Sequence, residues 1–220
     1  NGLVPECSDT ATPTPLAGYS ALSDVHDLSQ IDRDIRHMEI MMEQQRWNAA
    51  TDLYQNGWNS ELTLHKFASN GYPWTASDDF RIFEEFYSQN DSAGYGFADG
   101  LVENALQGAD PFQTATKGDR KALVLGSLQS QVMFLAILGQ LEEAIDACDE
   151  KLPDKAMLYW DGAAALMIGS IEGPDDGGQP NGQSFFAISK QLCDAFGACE
   201  PVSSVVNTLL LSLCFRQTRE

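Results

Sequence analysis

Basic residues are scarce in this sequence. Thirteen Lys and Arg stand against 32 Asp and Glu, a formal net charge of -19. None occurs before Arg33, and none falls between Lys155 and Lys190. A surface of this sign repels phosphate backbones and anionic headgroups, which argues against a nucleic-acid or anionic-membrane partner. Cysteine is also sparse, with five in 220 residues and no C-x-x-C pair, so a zinc ribbon is not indicated. No run of 18 apolar residues exists, and "VMFLAIL" (132–138) is too short to span a bilayer. The familiar catalytic motifs are missing: no H-E-x-x-H, no G-x-S-x-G, no P-loop. "GYGFADG" (94–100) spaces its glycines wrongly for a dinucleotide fingerprint. With no nucleophile–base pair in view, an enzyme is not expected. The chain opens on Asn1 rather than Met, which fits a leader already removed.

What is present is helical. No alternating strand pattern appears, and 43% of the residues are hydrophobic, enough for a sizeable core. Residues 1–28 read as an irregular N-terminal segment rich in Ser, Thr and Pro. Residues 29–220 read as one all-α domain, a compact bundle of eight or nine helices. The first begins near Ser29, where "SQID" suggests a capping box. Ile31, Ile35, Met38 and Met42 form its apolar stripe, and Asn56-Gly57 its stop. Helices are predicted over 60–69, 77–89, 95–107, 115–138, 140–150, 155–170, 184–197 and 202–216. Gly and Pro gather between them in "SNGYPW", "QGADP" and "EGPDDGGQPNGQ".

Four places invite a chemical reading. Asp161 is the single charge between Ala156 and Ile171. A helix apolar all round is a buried helix, and a buried carboxylate needs a partner. Such an oxygen suits a hard cation, and Glu172, Asp175 and Asp176 follow in the next loop. The alternative is that Asp161 accepts hydrogen bonds from core donors. "KGDRK" (117–121) puts Lys117, Arg120 and Lys121 at a helix start, a place for an anion or simply a solvated turn. Asp34 with His37, and Glu39 with Glu43, could share a helix face and hold a metal. The plainer reading of that helix is a solvated face with Asp32–Arg36 and Arg36–Glu39 pairs. Asn90-Asp91-Ser92 is a glycosylation sequon. The spacing "CDAFGAC" fits a short disulfide loop or two inert thiols.

Several segments together resemble one family. They are "DLYQNGWNS", "KGDRKALVLGSLQSQVMFLAILGQLEEAIDACDE", "WDGAAALMIGSIEGPDDGGQPNGQSFFAISKQLCDAFGAC" and "VNTLLL". They are similar to the algal low-iron-inducible periplasmic proteins and the diatom phytotransferrins, from about residue 30 to 212. The resemblance implies an all-helical extracytoplasmic protein that captures ferric iron together with carbonate, in the periplasm or at the cell surface. It points to Asp161 and Glu172 in the W-D and S-x-E-G motifs and to Tyr54 in Y-x-x-G as candidate iron ligands. Where the family carries an acidic residue after W-D, this chain has Gly162. An extracytoplasmic setting, with the clustering of cysteines, predicts a Cys193–Cys199 bridge and a partner for Cys148. The other reading is a structural or interaction subunit of a larger algal assembly, for example in the thylakoid lumen, that keeps the fold without the metal. Either way the partners expected are a metal ion and a membrane protein or protein complex, with the chain itself not spanning the membrane.

Overall fold

The computed structural model describes residues 14–69 and 98–197. Among them the fold is all-α. No strand forms, and the single β-bridge joins Leu16 to Tyr19 in a tight turn. The helices are α1 (His26–Ser29), α2 (Ile31–Glu43), α3 (Trp47–Asn56), α4 (Leu64–Ala68), α5 (Asp99–Gln107), α6 (Lys117–Ser127), α7 (Met133–Asp149), α8 (Pro153–Ile168) and α9 (Phe185–Phe196). Seven of these, all but α1 and α4, are nine residues or longer. The helices expected over 77–89 and 202–216 lie outside the described residues.

The predicted stripe of α2 is the core. Ile31, Ile35, Met38 and Met42 are all buried, and they pack with Leu53, Tyr54, Phe67, Val102 and Leu106 from α3 to α5. The helix expected to run from 29 to 56 is two helices. It breaks after Glu43, and Gln45 takes a left-handed φ of 61°. That break folds α3 back along α2, as two apolar faces on one short connection require. Nor does "SQID" cap α2. Ser29 belongs to α1 and bonds the carbonyl of His26, and Gln30 precedes α2 with no side-chain cap.

The opposite difference occurs further on. The sequence suggested a stop at Gly139, but α6, a π-helical turn at Leu128–Val132 and α7 form one continuous helix of 33 residues, Lys117–Asp149. Gly139 is buried inside it. A helix interior tolerates one glycine at about 1 kcal/mol, less than burying the apolar run that surrounds it returns. Its start carries a complete capping box, Thr116 with Asp119. By length and composition this helix could cross a bilayer, yet half of its apolar window is buried inside the structure. It is the long wall against which α8 packs.

Helix α8 opens on Pro153 at its first turn and is built of small residues where it is most enclosed: Gly162, Ala163, Ala164 and Ala165 are all buried. Small side chains let neighbouring backbones come close. Gly162 is the closest approach, since a Cβ there would lie 2.5 Å from Gln140 Oε1 of α7 and 3.3 Å from Leu28. The residue 14–25 segment straps across the other side. Leu16, Ala17, Ala21 and Val25 form a second small core with Ala165, Ile168 and Phe186. The strap is pinned at Ala17 N and Gly18 N, which donate to the carbonyls of Gly173 and Pro174.

Candidate functional site

Asp161 is 2% exposed, and among the described residues it makes no ion pair; its partners there are neutral donors. Oδ1 accepts from the Tyr19 hydroxyl at 2.6 Å, and Oδ2 accepts from the amides of Leu22 and Ser23 at 2.9 and 2.7 Å. Burial, and then the hydrogen bond to Asp161, push the Tyr19 phenol well above its ordinary range, so it stays protonated and donating. The carboxylate therefore fastens the strap to the middle of α8. Glu172 does similar work locally. It is 1% exposed, and its Oε2 accepts from the amides of Gly178 and Gln179, closing the 173–183 loop upon itself.

Tyr54 lies elsewhere. Its ring is fully buried in the main core, and its hydroxyl donates to Asp99 Oδ1 at 2.7 Å. The ring meets His65 edge-on at 5.8 Å between centroids. The other oxygen of Asp99 stands 3.5 Å from His65 Nε2. Glu103 is four residues after Asp99, one turn along the same face of α5, and accepts from Gln55 at 2.8 Å. The ligand atoms of His65, Asp99 and Glu103 all lie within 4.8 Å of one another. Burial, and after it the bond to Asp99, push the Tyr54 phenol far up. Three short elements meet here: the end of α3, the single turn of α4 and the start of α5. One imidazole nitrogen, two carboxylates and a phenol oxygen converge, a donor set suited to a hard or borderline cation.

The three oxygens named from the family likeness are thus not brought together as one set. Asp161, Glu172 and Tyr54 share no hydrogen-bond partner. Asp161 is satisfied by the Tyr19 hydroxyl and two backbone amides, which is why it tolerates burial; Glu172 is met by amides at Oε2 alone, and its buried Oε1 has no hydrogen-bond partner among the described residues. Tyr54 alone joins a cluster of metal-ligating groups. His65, Asp99 and Glu103 were missed by the sequence reading. Asp99 and Glu103 have a visible D-x-x-x-E spacing, but nothing linear connects it to Tyr54 and His65.

The three basic residues expected at an anion site each have a partner within the protein. Arg120 donates from Nε and Nη2 to the carbonyls of Ala105 and Leu106, both at 2.6 Å, and stacks 4.1 Å above the Trp47 ring. It caps the end of α5, whose last carbonyls need donors. Lys121 pairs with Glu43 at 2.9 Å, and Lys117 donates to Gln45. The amides that might have drawn an anion face Thr116 and the Asp119 carboxylate instead. All three bases tether α6 to its neighbours.

In α2 the expected Asp32–Arg36 pair does not form. Asp32 is 2% exposed and accepts from Ser170 Oγ and Ile171 N at 3.0 and 2.8 Å. Asp34 is fully buried and holds the Trp58–Asn59 turn through both amides and the Asn59 side chain. The Arg36–Glu39 pair forms as expected. Cys148 is exposed and free, so its expected bridge is absent; the end of α7 turns it outward. Cys193 lies on α9, while Cys199 and Asn90 lie outside the described residues.

No family model matches this chain, and no curated protein or solved structure matches it.

Proposed function

We propose that this protein binds a hard cation, ferric ion foremost, through Tyr54, His65, Asp99 and Glu103. The observation that carries the reading is the Asp99 carboxylate, held between the Tyr54 hydroxyl and the His65 imidazole with Glu103 one turn away. The likeness to phytotransferrins supports it from a separate direction, and it shares with the cluster one residue, Tyr54. A ferric ion there displaces the phenolic proton, and carbonate from solution supplies further oxygens. The setting that fits is extracytoplasmic, the periplasm or cell surface, where acidic iron-capture proteins operate without nucleic acid. The protein is a binder on this reading and not an enzyme.

The test is titration of the purified protein with ferric ion in bicarbonate buffer. A visible tyrosinate-to-iron charge-transfer band grows to one equivalent, and Tyr54→Phe removes it while the protein stays folded. Binding releases protons, so the band fades as pH falls. Asp161→Asn leaves it in place. A colourless titration, or a band that survives Tyr54→Phe, refutes the site. The subunit reading, in which the fold persists without metal, then takes its place. It has its own support in Asp161 and Glu172, two residues of the likeness that hold structure together.

A further inference from the structure

A cavity of about 750 Å³ lies between the strap, α1, the start of α2 and the 170–174 turn. That volume is typical of small-molecule sites, which are mostly apolar with a few placed polar groups. Leu16, Val25 and Pro174 supply apolar wall, and Arg33 supplies the charge. The guanidinium is held by its inner nitrogen alone: Nε donates to Ser170 Oγ at 3.0 Å. Ser170 in turn donates to the buried Asp32 carboxylate at 3.0 Å, which fixes its orientation. Arg33 is exposed, and among the described residues it makes no ion pair and its terminal nitrogens meet no acceptor. In a chain with 32 acids and 13 bases, an arginine that no carboxylate pairs is out of pattern. Asp24 also borders the cavity, but its Oδ1 accepts from the amide of His26.

We propose that this cavity binds a small organic carboxylate, its apolar body against Leu16, Val25 and Pro174 and its carboxylate on the outer edge of the Arg33 guanidinium. A fork of two parallel N–H donors matches a carboxylate in a way a lysine would not. This site shares no residue with the Tyr54 cluster, so it stands or falls separately from iron binding.

Calorimetric titration of metal-free protein with hexanoate, hexanol and hexylammonium tests it. Hexanoate saturates one site, hexanol binds at least tenfold more weakly, and hexylammonium gives no heat. Arg33→Gln weakens hexanoate at least tenfold, and Tyr54→Phe leaves it unchanged. Leu22 is 75% exposed at the rim, so Leu22→Asp keeps the fold and sets a negative charge at the mouth. It too weakens hexanoate, and it decides the matter if Arg33→Gln does not fold. Hexanol binding as tightly as hexanoate, hexanoate binding unchanged in folded Arg33→Gln or Leu22→Asp, or no saturation at all would overturn the proposal.

Discussion

Asp161 shows what a lone buried carboxylate does when no cation is at hand. Three neutral donors converge on it, each worth roughly 1.5–3 kcal/mol toward a charged acceptor. Asp161→Asn keeps the shape. The amide can turn its oxygen to the Leu22 and Ser23 amides and its NH2 to the Tyr19 oxygen, so the loss is about 1–2 kcal/mol. Asp161→Ala strands all three donors and costs about 3 kcal/mol or more. Urea denaturation of both variants measures the difference. Equal losses would mean that the strap does not depend on these bonds. Asp32 behaves differently, because burial dominates there and pushes its carboxyl up to about 6, against the hydrogen bonds from Ile171 and Ser170. The folded protein then holds a proton that the unfolded chain releases near pH 4. The stability this contributes is complete below pH 4 and is lost as pH rises through 6, on the order of 3 kcal/mol. Asp32→Asn abolishes that slope, which denaturation midpoints measured between pH 4 and 7 will show. A variant with the slope of the parent protein would place the titration elsewhere.

At the scale of elements, α7 and α8 come close where Gly162 lacks a side chain. Alanine is favoured over glycine in a helix by about 1 kcal/mol. Here its Cβ would meet Gln140 Oε1 at 2.5 Å and Leu28 at 3.3 Å. Gln140 Oε1 is the tip of a flexible side chain and turns away, so the crowding offsets the helix preference rather than exceeding it, and Gly162→Ala changes the thermal midpoint little. Gly162→Asp, which restores the acidic residue of the family likeness, lowers it by burying an unpaired charge. A large fall in Gly162→Ala would show that Gln140 cannot swing aside.

At the scale of the molecule, the proposed metal site joins three elements of modest length. α4 is one turn of five residues, and α3 and α5 have ten and nine. A ligand bridging them stabilises the native state by mass action, about 2.7 kcal/mol at a free concentration one hundred times the dissociation constant. Ferric loading therefore raises the thermal midpoint, and Glu103→Gln reduces the rise. No shift under saturating iron would count against a site that ties these helices together.

The sequence alone determined the all-α class, because period-3.6 stripes such as Ile31–Met42 leave a chain no other way to bury them. It pointed to the burial of Asp161 as well, although the helix is not enclosed on every side: Leu158, three residues earlier, is 46% exposed. Breaks and continuities were decided in three dimensions. The turn at Gln45 and the unbroken passage through Gly139 depend on which faces find partners, and local propensities of about 1 kcal/mol are outweighed by packing. Donor identity was equally a tertiary matter: Asp161 meets residues about 140 positions away, and Arg120 finds the carbonyls of another helix. The Tyr54 cluster gathers α3, α4 and α5 at one point. Beyond the Asp99–Glu103 turn its residues carry no shared spacing, because the geometry that unites them belongs to the crossing of helices rather than to the order of the chain.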